Sequence, residues 1–240
     1  MKILFVLLCI VSCSVKAANS ITFAVGHDHQ KMIIDYPFYA ASWEVLNVEL
    51  TNIGYTVKTN IYPWARAKES VKKGKSDGLF LAANFKGRES WASLSIAIGQ
   101  DQFGVFQNHH SDPLAPFGSV RLLSNYSQLT FLDQNKQIKV TTAQEGLLLL
   151  SNQKLQGFVM SRSYGDYLLH NELHTLNKRI VFNEEKIETY TAHIAVSKTN
   201  PERAEILSIV NKAIGNAFKS DSYKRIMQKH GVKEYQLVTF

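Results

Sequence analysis

Cysteine is scarce in this chain. Only Cys9 and Cys13 occur among its 240 residues, so a mature chain starting near Ala18 would hold no disulfide, thiol nucleophile or thiolate metal site, and its stability would rest on packing. Long apolar runs are missing too. After Val11 nothing approaches the ~20 residues that a membrane span needs. Neither G-x-G-x-x-G nor a Walker loop occurs, so nucleotide binding has no support. Aromatic residues are not interleaved with the basic ones, whose densest local run is Lys72, Lys73 and Lys75, and nucleic acid is not an expected partner. No cofactor is expected.

The start of the chain is an address. Met1-Lys2 precedes the apolar run Ile3 to Val11, and Val15-Lys16-Ala17 supplies small residues for cleavage, the pattern of a secretory signal cut after Ala17. Lipid attachment at Cys13, after Ile10-Val11-Ser12, ranks below simple secretion. Taking Lys2 and Lys16 from the 27 basic residues leaves 25 against 20 acidic ones, a net charge of +5. A scattered basic surface follows, with a weak bias toward anionic ligands.

The most informative stretch runs from Ile61 to Arg88. Pro63 can open a helix, because its missing N–H is not needed in the first turn. Trp64, Ala67 and Val71 then form one apolar stripe, and Gly74 stops it with a left-handed residue. Gly78 to Ala83 reads as a short buried strand. Asn84-Phe85-Lys86-Gly87-Arg88 follows, at the end of the sheet where open α/β folds meet their ligands.

A helix ending in Lys-Gly-Lys-x-Asp, an apolar strand and a loop reaching Arg resembles the amino-acid-type periplasmic solute-binding proteins, extracellular solute-binding family 3. The resemblance extends loosely from Ile21 to the C-terminus. It implies that Arg88 holds a ligand carboxylate, that Trp64 packs on the ligand, and that Asn84 replaces a family Ser or Thr. Asp28 matches a position that often contributes to the site, and Tyr36 in Tyr36-Pro37-Phe38-Tyr39 places a ring there. Where the family often has an Asp for the ligand's ammonium group, this chain has Ser161, followed by Arg162. That departure leaves amino acids, dicarboxylates and other small anions open, and either residue could supply the closing contacts.

The rest of the chain fits an α/β layer. Ile21 to Val25 and Tyr55 to Ile61 alternate as strands, and Trp43, Leu46, Leu50 and Ile53 mark a helix ended by Gly54. His27-Asp28-His29 falls in the first strand-to-helix loop, where spacing alone fixes no metal geometry. Phe103 to Phe106 should cross into a second lobe, with a boundary near Gln107. That lobe should hold strands at Ser119–Leu123 and Gln137–Val140 around a short helix, a helix from Gln144 to Asn152, a strand from Leu155 to Met160 and another from Arg179 to Phe182. Tyr190 to Val196 resembles the strand returning to the first lobe, and Asn200-Pro201-Glu202 starts a helix striped by Ile206, Val210, Ala213 and Ala217. Tyr223, Ile226 and Met227 line a last helix that Gly231 ends. His170 and His174 lack the Glu placement of a zinc protease.

The expected architecture is therefore a two-lobed α/β periplasmic-binding-protein fold of type II with two hinge crossings. Its segments would be a signal at 1–17, the first lobe at 18–106 and 190–240, and the second at 107–189. The expected function is capture of a small polar ligand for delivery to an ABC permease by a periplasmic monomer. The rivals are a sensor domain serving a signalling partner and a dehydratase-like enzyme, for which Asp28 with His27 or His29 is the acid/base candidate.

Overall fold

The computed structural model describes residues 19–120 and 137–238. Its first half contains β1 (Ser20–Gly26), α1 (His29–Asp35), α2 (Pro37–Asn52), β2 (Thr56–Tyr62), α3 (Trp64–Lys72), β3 (Gly78–Ala83) and β4 (Ala92–Leu94). Pro37 occupies the first turn of the sixteen-residue α2, which buries Phe38, Val45, Leu46 and Leu50; Leu46 and Leu50 belong to the stripe that the helical period predicts. Ala67, Ser70 and Val71 are the buried face of α3. Gly54 and Gly74 take φ of 87° and 67° past the ends of these helices, a left-handed conformation that costs glycine least.

β5 (Gly99–Asn108) leaves this half, and β6 (Phe117–Val120), β7 (Gln137–Val140), α4 (Ala143–Ser151), β8 (Gly157–Ser161) and α5 (Arg162–Asn171) build the other. β9 (Ile180–Ser197) runs back, and α6 (Arg203–Lys219) and α7 (Ser222–Lys229) pack on α2. One mixed sheet results, in the order β2-β1-β3-β9-β5-β8-β6-β7, with β4 also on β9. β1 is parallel to β2 and β3, and β6 is parallel to β7 and β8. β5 and β9 pair antiparallel from Gly99↔Ala192 to Asn108↔Ile180 and join the halves. Two crossings are present, as a hinge requires.

Three expectations need correction. The strands expected at Arg179–Phe182 and Tyr190–Val196 are not separate: Ile180–Phe182 and Tyr190–Val196 are parts of the 18-residue β9. In the largely polar stretch Asn183 to Thr189 between them, Ile187 to Thr189 pair with Gly104 to Gln102 of β5 and the register shifts across residues 183–186; such backbone pairing does not require apolar side chains. The segment after Asp28 is not loop but the short helix α1. It carries His29 into the core, 2% exposed. α6 begins at Arg203, not Asn200; Asn200 instead accepts Glu202 N–H at 2.8 Å and shapes the turn before it. The N-terminal signal, Cys9, Cys13, Arg121 to Leu123 and the short helix expected before Gln137 lie outside the described residues.

Candidate functional site

β3 ends beside the crossing strands, and its last turn is irregular. The register to β9 shifts between Leu79 and Ala82, with Leu81 at φ 52°. Such a bulge re-aims a strand. Asn84 continues the pairing with its side chain: its N–H reaches Thr191 O at 3.0 Å, and its Oδ1 accepts Thr191 N–H at 3.0 Å. Gly87, at φ 88°, then turns the chain into the 3-10 turn Arg88–Ser90.

Arg88 folds back over this end of the sheet. Its Nε donates to Ala83 O at 2.5 Å, the residue is 5% exposed, and burial pulls its pKa down to about 10. Among the described residues it forms no ion pair with a carboxylate. Its guanidinium lies 5.8 Å from the Trp91 ring centroid, where Lys72 Nζ also lies at 5.4 Å. Trp64, half-buried at the start of α3, joins Trp91 and Tyr62 around Ala24, Ala67, Ala82 and Ala195. Trp64 and Arg88 thus border one small cluster.

Tyr36 belongs to a different one. It is 7% exposed, stacks on Tyr39 at 6.2 Å and Tyr167 at 5.3 Å, and is tilted against Tyr164 at 5.9 Å. Its hydroxyl meets Ser163 Oγ. Tyr36 is part of the main core, whereas Trp64 packs against the smaller cluster. Asp28 pairs with His27 at 3.1 Å, and its charge adds to burial in raising the phenols of Tyr39 and Tyr164. Asp28 therefore faces the second half through Tyr164.

Ser161 caps α5, its Oγ accepting Tyr164 N–H at 3.2 Å and donating to Asp101. Asp101, on β5, also accepts Ser163 Oγ–H at 2.5 Å and Gln102 N–H at 2.9 Å. It is 6% exposed, and burial raises its carboxyl to about 6. Sequence reasoning missed it, because an acid among the small and polar residues opening a strand carries no periodic signal. Arg162 is engaged elsewhere: Nη1 and Nη2 grip Glu184 at 3.1 and 2.6 Å, Nη1 reaches Gln102 at 2.5 Å, and the group stacks 4.9 Å from the Tyr235 ring. Trp91, also missed, was legible only as one more apolar residue.

Solved structures superpose on nearly the whole chain. A histidine kinase sensor domain with similarity to periplasmic binding proteins aligns with TM-score 0.71 and 18% identity, covering 91% of this chain and 98% of its own. A substrate-binding protein of an ABC uptake transporter from Streptococcus pneumoniae, with bound histidine, gives 0.70 and 16%, covering 91% and 95%. The substrate-binding protein of an amino acid ABC transporter gives 0.69 and 14%, covering 90% and 100%. This is the type II periplasmic-binding-protein fold. No protein-family profile matches the chain, and no curated protein matches it in sequence.

Two other features of the periplasmic-binding-protein fold have the outward form of a site. Gly74-Lys75-Ser76-Asp77-Gly78 has the spelling of a serine-nucleophile loop, a pattern the sequence reading overlooked. It joins helix to strand, the reverse of a nucleophile elbow. Ser76 is 2% exposed and bonded to Asn60 and Ser70, each at 2.9 Å. An open depression of about 630 Å³ lies between α2, α6 and α7, lined by Glu49, Asn52, Asn216, Lys219, Ser222 and Arg225. It is remote from the strand ends, and its Glu49 accepts Ser222 Oγ–H at 2.5 Å, tying α2 to α7. His29 Nδ1 is 2.9 Å from Tyr39 Oη, so His27, Asp28 and His29 do not converge. Among the described residues no three His, Cys, Asp or Glu side chains are placed to hold a metal ion.

Proposed function

We propose that this chain is a periplasmic solute-binding protein that captures a small polar, carboxylate-bearing ligand, an amino acid or a relative, between its halves and delivers it to an ABC permease. One observation carries the reading: Arg88 is almost fully buried at the carboxyl end of β3, with no ion-paired carboxylate among the described residues. A buried charge needs a partner, and a guanidinium binds a carboxylate bidentately. The fold shared with amino-acid-binding proteins supports the same chemistry.

In this reading Arg88 clamps the carboxylate, Trp64 packs on the ligand and Asn84 contributes its amide N–H groups. Asp28, Tyr36 and Ser161 supply contacts near the crossing strands. The moving parts are residues 18–106 with 190–240 against residues 107–189, hinged on β5 and β9, a recognised mode of closure. Residues 1–17 direct secretion, and the mature protein is a monomer without enzymatic activity.

Thermal-shift screening against amino acids and small carboxylic acids should give a ligand that raises the melting temperature. Arg88→Ala should then weaken that ligand by about 100-fold in calorimetry while the unfolding transition stays cooperative; equal affinity would remove Arg88 from the site. The sensor domain that shares this fold over 98% of its length favours a second reading, a ligand sensor for a signalling partner. Loss of solute uptake on deleting the gene supports transport. Unchanged uptake supports the sensor.

A further inference from the structure

Arg88 is not the only cation of its cluster that lacks a counter-ion. Lys68 lies four residues after Trp64 and four before Lys72, so all three share one face of α3. Lys72 and Arg88 approach the same Trp91 ring, at 5.4 and 5.8 Å, and Lys72 is neutralised by Glu69 at 2.9 Å. Lys68 is half-buried, and among the described residues it forms no ion pair. Burial depresses its pKa, the charges of Arg88 and Lys72 push in the same direction, and Glu69, already held by Lys72, opposes them more weakly. His193 is depressed by burial and, more weakly, by Arg88.

Three acids, Glu69, Asp101 and Glu188, are otherwise engaged. Glu69 holds Lys72, Asp101 is enclosed by Ser161 and Ser163, and Glu188 accepts the Tyr190 hydroxyl at 2.5 Å. Lys68, placed on α3 between Trp64 and Lys72, feels the charge of Arg88, and two half-sheltered or buried cations repel each other unless something negative lies between them.

We propose that the ligand is a small dicarboxylate, with one carboxylate on Arg88 and the second on Lys68, so that Lys68 determines specificity for the doubly charged acid. This rests on the Arg88 reading above. A carboxamide is nearly the same size as a carboxylate but neutral, and cannot satisfy an ammonium in a low-dielectric site.

Calorimetry on the purified full chain with succinate against its monoamide succinamate, and with L-glutamate against L-glutamine, tests this at constant shape. At least one pair should favour the diacid by about tenfold or more. Lys68→Gln should weaken the diacid and reduce that preference to within about twofold, and Arg88→Gln should abolish binding of both members. If binding needs Arg88 but the amide binds as well as the acid, or the preference survives Lys68→Gln, the dicarboxylate inference fails and the Arg88 site stands. If binding is indifferent to Arg88→Gln, both fail. Failure of every diacid to bind overturns the inference, as does inorganic phosphate binding more tightly than the diacids.

Discussion

Tyr36 and Ser163, 127 positions apart, are hydrogen-bonded through their hydroxyls across the two halves of the fold. Ser163 Oγ–H is already directed at Asp101 at 2.5 Å, so Tyr36 donates and Ser163 relays toward the carboxylate. Lys31, on α1, adds an exposed pair to Glu172 at 2.5 Å just beyond α5.

Removing either end of this chain of hydroxyls should cost different amounts. Tyr36→Phe removes a donor and should destabilise the protein by ~1 kcal/mol, the net value of an ordinary hydrogen bond. Ser163→Ala strands the Tyr36 hydroxyl and takes a donor from Asp101, so the loss should be ~2–3 kcal/mol. Urea unfolding of both variants checks the order; a smaller effect for Ser163→Ala would contradict it.

Asp101 should make stability fall as pH rises. Burial lifts its carboxyl from the ordinary carboxylate value to about 6 despite four donors, so between pH ~4 and ~6 the folded state holds a proton that the unfolded state releases. The contribution is fully present below about pH 4 and is lost through about pH 6, amounting to ~3 kcal/mol across that window. Asp101→Asn should flatten this part of the profile measured by chemical denaturation. An unchanged slope would show that other groups produce it.

Arg162 should matter to stability, not to affinity. Its guanidinium holds Glu184 and Gln102 and lies 5.1 Å from Phe182 and 4.9 Å from Tyr235. Glu184 is largely exposed, so solvent screening limits the ion pair and ~1–2 kcal/mol is expected for Arg162→Ala. Ligand affinity should change by less than about threefold. A tenfold loss in calorimetry would return Arg162 to the binding site.

Gly165 should resist replacement although it sits inside α5, where alanine is favoured by ~1 kcal/mol. A methyl group there would overlap the Phe106 ring, a fully buried side chain of β5. Gly165→Ala should therefore lower stability by about 2 kcal/mol or more. A stabilised variant would mean that this packing yields easily.

The legible parts of the fold were those whose local chemistry is redundant. The stripe Trp43, Leu46 and Leu50 with Gly54, and Ala67 and Val71 with Gly74, each specify a helix and its stop by two independent signals, and both helices are present. β9 was read as two pieces because its polar middle carries no apolar period of its own: Ile187 to Thr189 pair with the β5 backbone, and Asn183 and Glu184 find Gln107 and Arg162 far away in the chain. Arg88 could be picked out from its place after β3. Asp101, Lys68 and Trp91 could not, since their environment comes from residues far away in the chain.

The sequence by itself determined the alternation of strands and helices, because side-chain period and glycine stops act within a few residues. It also determined where β3 must end and which Arg follows. Only the tertiary structure decided which charges find partners: Arg162 meets Glu184 and Asp101 meets Ser161 and Ser163, whereas Arg88 and Lys68 meet no ion-pairing carboxylate among the described residues. Charge pairing depends on distances of a few ångströms between segments brought together by β5 and β9, and no local pattern encodes those distances.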